Sequence, residues 1–316
     1  MLQGEISQNV TLVFAGQELY RNGKVGPYLL KNLRIMVATA EGVIEVRGNG
    51  QATVVVINAG KTATVKVYVS STGVPNSAIA NVSAANYTNI VFAPEEIVSV
   101  FGTSLATATQ AATTMPLPTS LAGTTVKVTD STGTERLAPL FFVSPTQINY
   151  QIPPGTAPGA AMVRIDRPND FPSLETLLID ATAPGLFTAN ASGQGLAAAV
   201  ALRVKANGVQ SFEPIARFDP LQNRFVAVPL DLGPAGEQVF LILYGTGIRF
   251  RSALSAVTAK LGGVDAASSF AGAQGSLIGV DQINVQIPRS LLGRGEVDVA
   301  LTVDGKTANT VRVSIR

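Results

Sequence analysis

Gln147-Ile148-Asn149-Tyr150-Gln151-Ile152-Pro153 returns further along the chain as Gln282-Ile283-Asn284-Val285-Gln286-Ile287-Pro288. In both copies polar and apolar residues alternate with period two, as a strand with one buried face requires, and proline closes the run because it has no N–H to give to a ladder. The stretch ahead of each copy repeats as well. Glu96-Ile97-Val98-Ser99-Val100-Phe101-Gly102-Thr103-Ser104-Leu105 comes back as Glu237-Gln238-Val239-Phe240-Leu241-Ile242-Leu243-Tyr244-Gly245-Thr246-Gly247-Ile248. Each is an aliphatic strand ending in Gly-Thr, where glycine lets the chain turn sharply or pass close to another backbone. Two homologous β units therefore follow one another.

Working outward, Gly295 to Val303 and Lys306 to Ile315 are alternating runs separated by Asp304-Gly305, a strong hairpin signal. Many short strands with almost no helical periodicity argue for sandwiches rather than an α/β fold. The Ala/Thr tract from Ala106 to Thr114 reads as a loop insertion or a frayed helix. Upstream, residues 8 to 71 also run in short alternating bursts, with Asn22-Gly23 placed as a tight hairpin turn and Lys61 to Val69 as a half-buried strand. Residues 72 to 90 are small, carry no clear periodicity and read as a linker. The expectation is an all-β chain of three tandem immunoglobulin-like β-sandwiches over residues 1–72, 73–182 and 183–316.

Composition narrows function by exclusion. The 316 residues are 46% hydrophobic, enough for a core in each domain, and only 14% charged against about 25% in ordinary soluble chains. Net charge is +2, with no basic stripe to neutralise a phosphate backbone, so nucleic acid is not an expected partner. There is no Cys, His or Trp. Without them a Ser-His-Asp triad, a Cys-His dyad, a thiolate redox centre and a Cys/His zinc site are all unavailable. Carboxylate, Lys or Tyr chemistry and oxygen-ligated calcium or magnesium survive the exclusion. No cofactor is expected. The lack of Cys leaves the compartment open, because export permits disulfides without requiring them. Residues 97 to 126 carry no charge, yet Gly102, Pro116, Pro118 and Gly123 interrupt them, whereas a spanning helix needs about 20 mainly apolar residues in a row. Met1-Leu2-Gln3-Gly4 has neither a basic nor an apolar leader region, which reads as a removed signal peptide or as part of a longer chain.

The candidate binding residues are Gln147, Asn149, Gln282 and Asn284. As a ligand site these amides would take sugar hydroxyls or a partner backbone. As structure they would satisfy loop backbone at the sandwich end, and repetition in both units favours that reading. Glu95 and Glu96 are the one tight carboxylate pair. Neighbours on a strand point to opposite faces, so they read as a solvated turn rather than a glycosidase pair. Asp130-Ser131-Thr132-Gly133-Thr134-Glu135 lacks the ligand spacing of a calcium loop and reads as a hairpin turn. Asn9, Asn81, Asn86 and Asn190 begin N-x-S/T patterns, which arise readily by chance in a Thr-rich chain.

Some of these runs resemble known families. The N-terminal part, with its Gly turns and its closing Thr/Val and Val-rich strands, is similar to the bacterial group 2 immunoglobulin-like domain over about 60 residues. From about residue 80 to 316 the chain resembles the uncharacterised C-terminal domain family of large secreted acidobacterial proteins of the Solibacter type. The likeness runs through Ala93-Pro94-Glu95-Glu96 to Leu105, Pro116-Leu117-Pro118, the first Gln-Ile-Asn strand and Ala183-Pro184-Gly185-Leu186-Phe187-Thr188. It continues through Gly193-Gln194-Gly195, Pro229 to Pro234 and Tyr244-Gly245-Thr246-Gly247-Ile248-Arg249 to Asn309-Thr310-Val311. The resemblance implies secretion and a place at the C-terminus of a longer precursor; it implies no activity.

The resulting expectation is a non-enzymatic extracellular or cell-surface protein with a structural or adhesive role. Its sharper form is self-assembly into a filament by strand donation between copies, with Gln3 to Phe14 or Val74 to Val91 as the donated segment. The alternative is a surface-exposed carbohydrate- or protein-binding module, which predicts a cluster of exposed aromatics.

Overall fold

A computed structural model of the chain describes residues 79–88, 90–168 and 172–316 with their side chains, and in the first 78 residues the backbone of seven strands. The described residues form strands and two short 3-10 turns, and none of their helices is long and apolar enough to cross a membrane. The all-β expectation is met. The chain divides into two compact units, Met1–Asn76 and Ser77–Arg316.

In the first unit one antiparallel sheet runs in the order Lys24–Val25, Gln17–Arg21, Val10–Phe14, Gly50–Asn58, Lys61–Val69. Arg21 pairs with Lys24 across the Asn22-Gly23 dipeptide, and Asn58 pairs with Lys61, so both hairpins close where the sequence put them. Asn9 and the Gln3–Asn9 part of the proposed donor segment lie outside the described residues. The rest of that segment, Val10–Phe14, is held between two neighbouring strands.

The second unit contains two sandwiches, each with its own hydrophobic core. In the first, a sheet ordered Gln110–Ala111, Leu140–Val143, Gln147–Gln151, Ile97–Phe101, Ala80–Ser83 faces one ordered Glu135–Leu137, Thr125–Thr129, Gly159–Asp166, Ser173–Ile179. Val98, Val100, Ile148 and Tyr150 from one sheet meet Val126, Val128, Val163 and Ile165 from the other. In the second, Gln210–Pro214, Ala199–Val204, Gln238–Thr246, Asp281–Gln286 and Ser268–Ala273 face Gly195–Leu196, Val311–Ile315, Gly295–Val303, Val257–Leu261 and Val264–Ala266. Leu241, Leu243, Ile283 and Val285 pack there against Val299, Leu301, Val311 and Val313. Asp304 (φ 48°) and Gly305 (φ 78°) turn the hairpin that pairs Val303 with Lys306.

The sequence repeat is a repeat of register. Gln147 lies opposite Phe101 and Gln282 opposite Tyr244, which are equivalent positions in the two copies. Ala80–Ser83 flanks Ile97–Phe101 as Ala199–Val204 flanks Gln238–Thr246.

Two readings need correction. The described part of the 72–90 stretch is not all linker, because Ala80–Ser83 pairs with Ile97–Phe101 as an edge strand. Its inward residues are the polar ones, Asn81 and Ser83, so a search for buried apolar alternation passes over it. The Ala106–Thr114 tract contains no helix; it is a loop in which Gln110–Ala111 makes a short pairing with Phe142 and Val143.

Fully buried Ile283 and exposed Val209 frame a test of this core. Ile283→Ala should cost about 2–5 kcal/mol of stability in chemical denaturation, whereas Val209→Ala should stay within about 0.5 kcal/mol of the parent.

Candidate functional site

The repeated amides form two separate pairs. Gln147 Nε2 donates to Asn149 Oδ1 at 2.9 Å, and Gln282 Nε2 donates to Asn284 Oδ1 at 2.8 Å. Residues two apart on a strand share a face, so each half-buried pair bonds along its own strand, opposite the core side chains Ile148 and Ile283. They therefore do not reach loop backbone, as the structural reading of the sequence supposed. The two pairs sit in different sheets and do not combine into one site.

The carboxylate pair is where the sequence reading departs most from the fold. Glu95 and Glu96 do diverge, but the pair is not a solvated turn. Glu95 (φ 61°) accepts from Arg249 Nη1 at 2.7 Å, while Glu96 is fully buried. Glu96 Oε2 accepts from the Ala93 amide at 2.8 Å, whereas Glu96 Oε1 and the neighbouring buried Ser83 Oγ complete no well-aligned hydrogen bond. Burial pushes the Glu96 carboxyl up from 4.5 to about 8. The nearby Ser83 hydroxyl and the Ala93 amide offset part of that rise, and the negative charge of Asp281 adds to it.

These residues belong to a polar seam between the two sandwiches of the second unit. Arg249 lies at its centre, with Nε donating to Asp281 Oδ1 at 2.7 Å and Nη2 to the Val280 carbonyl at 3.0 Å, besides the bond to Glu95. Asp281, fully buried, also accepts from the Ile248 amide at 2.7 Å. Burial raises its pKa, with Arg249 opposing. Thr246 Oγ1 takes the Ile97 amide at 3.1 Å and donates to the Gly279 carbonyl at 2.8 Å, so one hydroxyl bonds to both sandwiches.

Glycine makes that approach geometrically available. A β-carbon on Gly247 (φ 73°) would stand 2.1 Å from the Ala183 carbonyl oxygen, and one on Gly279 (φ 74°) 2.4 Å from Ile97 Cγ1. The close backbone approach expected of Gly-Thr is realised at Gly245, whose added β-carbon would lie 2.4 Å from the Gly185 oxygen. Beside the seam, Tyr150 Oη donates to Asn81 Oδ1 at 2.9 Å, and Asn81 donates through its amide N and Nδ2 to Glu175 Oε2 at 2.9 and 2.6 Å. That network explains why polar Asn81 is buried, and it removes Asn81 from the candidate modification sites. Asn190 is exposed, and half-buried Asn86 accepts from the Thr88 amide and hydroxyl.

Asp130 behaves as the turn reading expected. Its Oδ1 accepts from the Thr132 amide at 3.0 Å, the Thr132 hydroxyl at 2.6 Å and the Thr134 amide at 3.1 Å, and its Oδ2 from Arg136 and the Ala157 amide. The Thr132 hydroxyl foremost, with the other donors, holds this carboxyl well below the usual range. All its lone pairs serve the turn.

One feature was missed in the sequence. The second repeat inserts strands between Ala199–Val204 and Gln238–Thr246, among them the separate hairpin Ala216–Asp219 with Arg224–Ala227. The first repeat has only a short connection there. Phe218 and Phe225, 50% and 38% exposed, meet edge to face across this hairpin at 5.5 Å, and Leu221 at its tip is almost fully exposed. Together with Leu196, Asn223, Arg224 and Glu296 the two rings line a groove of about 720 Å³. The signal available was Phe and Leu spaced among charged residues in a stretch with no counterpart in the sister repeat.

No protein-family model matches the sequence, and no curated protein matches it. Among solved structures the chain is similar to surface layer protein SbsC, domains 4–9, at 14% identity, with 99% of this chain and 40% of that one covered and a TM-score of 0.23. It thus spans well under half of that S-layer chain. It is also similar to Dpr2 Ig1-Ig2 in complex with DIP-Theta Ig1-Ig3, at 9% identity, covering 97% of this chain and 88% of that one with a TM-score of 0.22. Sidekick-1 immunoglobulin domains 1–5 follow at 12% identity, 97% and 72% coverage and a TM-score of 0.16.

Glu96 gives the seam a calculable pH response. Between pH 4.5 and about 8 the folded chain keeps a proton that the unfolded chain has released, so stability falls as pH rises through that window. The full shift corresponds to on the order of 3–5 kcal/mol. Glu96→Gln should flatten this slope in denaturant titrations run at pH 5, 6.5 and 8. An unchanged slope would mean that Glu96 ionises freely in the fold.

Proposed function

We propose that this chain is a non-enzymatic extracellular protein with a structural or adhesive role, in which residues 77–316 act as a stiff two-sandwich strut. The observation that carries the reading is the seam: Arg249, Thr246 and the close glycine contacts fix one sandwich against the other where a spacer of loose beads would have a free linker. The composition supports it, because the chain has neither His nor Cys for the commonest nucleophilic and zinc chemistries. The resemblance to C-terminal domains of large secreted acidobacterial proteins agrees with an origin at the cell exterior. The partners in this reading are copies of the chain, another surface protein or a polysaccharide. Filament formation by strand donation is its finer form. Of the two candidate donor segments, Ala80–Ser83 is the one at a sheet edge, so donation would exchange it for the same strand of the next copy.

A second reading, a binding module for carbohydrate or protein, is favoured by one specific observation. The exposed Phe218–Phe225 pair beside the groove is the aromatic cluster such a module needs, and it sits on an insertion that the sister sandwich does without.

Two measurements separate these readings. With no native Cys, single cysteines at exposed Leu137 and Leu292 accept spin labels, and pulsed dipolar spectroscopy of the full chain is expected to give one narrow distance distribution. A broad distribution overturns the strut. Retention of the wild type on a glycan or surface-protein array, lost in Phe218→Ala/Phe225→Ala, would favour the binding module.

A further inference from the structure

Sheet edges are unpaired templates, and proteins defend them by keeping them short, bulged, proline-bearing or charged. Seven of the eight edges in the two sandwiches carry such a defence among the described residues. Gln110–Ala111, Gly195–Leu196, Glu135–Leu137 and Val264–Ala266 are two or three residues long, and Ala80–Ser83 is four. Gln210–Pro214 ends in proline, and Ser268–Ala273 is bulged between Ser268 and Phe270. The exception is Ser173–Ile179, which pairs along seven residues with Gly159–Asp166 without a register shift and has no Pro, Lys or Arg. Its one charged residue, Glu175, is turned inward and engaged by Asn81.

The direction of the free groups follows from one contact. The Phe92 amide donates to the Leu178 carbonyl at 2.9 Å from outside the sheet, so the backbone of Leu178, and by the two-residue period that of Thr176 and Leu174, points out from the edge. Phe92 closes the end of the strand at Ile179. Leu174 and Thr176 remain as an open ladder. On the solvent face Leu174 and Leu178 are 42% and 53% exposed, and Met162, 45% exposed, lies diagonal to both on the adjoining strand.

We infer that Ser173–Ile179 pairs antiparallel with the same strand of a second copy about a two-fold axis at Thr176, joining two four-stranded sheets into one of eight. The occupant is a second copy because the strand complements itself. Leu174 and Leu178 stand two positions either side of Thr176, so this register sets Leu174 of one copy against Leu178 of the other and Thr176 against Thr176. It sets each inward Glu175 opposite Leu177 and brings no like charges together, and a net charge of +2 gives the copies little mutual repulsion. Such a contact is closed; it makes a dimer, and longer assembly would need a second surface. The inference deepens the self-association part of the proposed function and rests on it.

Sedimentation velocity of the full chain from micromolar to near-millimolar concentration is expected to show a monomer–dimer equilibrium. Leu174→Lys/Leu178→Lys, both on the exposed face, should weaken it by at least about tenfold while leaving the melting temperature near that of the parent. In a chain without other cysteines, Thr176→Cys should oxidise to a disulfide-linked dimer. Wild-type protein that stays monomeric throughout overturns the inference and removes self-association from the proposed function. A dimer indifferent to the double lysine variant overturns the edge but leaves self-association on another surface. A dimer that lysine disperses, but that the Thr176→Cys variant never cross-links, overturns the two-fold register.

Discussion

The guanidinium of Arg249 is the constraint on which the arrangement of the two sandwiches depends. It reaches Glu95 in one sandwich while bonded to Asp281 and the Val280 carbonyl in its own, and it is largely shielded from water. A buried carboxylate such as Asp281 is costly unless paired, and removing its cation would leave that cost uncompensated. The backbone therefore has to bring residues 95 and 281 to opposite sides of one side chain. The glycines at 245, 247 and 279 are the means, since each occupies a spot where a β-carbon would collide with the other sandwich or with the segment entering it.

The same repeat unit has been put to different uses in its two copies. In the first, Gly102-Thr103 ends its strand at the surface, with Thr103 exposed; in the second, Gly245-Thr246 is buried, and Thr246 bonds across the seam. The second copy also bears the aromatic hairpin, while the first bears the long open edge. What the copies share, the alternating strands and their registers, is what the sandwich needs. What they do not share is where contacts with other molecules are concentrated.

This division explains what could be read from the sequence. The all-β class and the duplicated strands were legible, because Ile148 and Tyr150 or Ile283 and Val285 alternate with polar neighbours over a local span. Hairpins at Asp304-Gly305 and around Asn22-Gly23 were legible for the same reason, turn chemistry being local. The seam was not. Arg249 and Glu95 are 154 residues apart, and nothing near either residue announces the other. Glu96 looked like half of a solvated pair because sequence shows adjacency and not burial. Ala80–Ser83 was read as linker because its buried side chains are Asn and Ser, and the partners of Asn81, Tyr150 and Glu175, come from distant strands.

The passage from Ile179 to Leu186 has a consequence for inheritance. Asp180 bonds to Lys306, the Thr182 carbonyl accepts from that same lysine, and the Ala183 amide donates to the Gly247 carbonyl at 2.8 Å, so almost every residue of the junction is spoken for. A chain built of interchangeable modules needs joints at which a unit can be cut out and replaced. Here a cut at the joint would strip a lysine, a threonine and three glycines of their purpose at once. The two sandwiches are therefore a single heritable part: duplication made them, and the seam keeps recombination from separating them again.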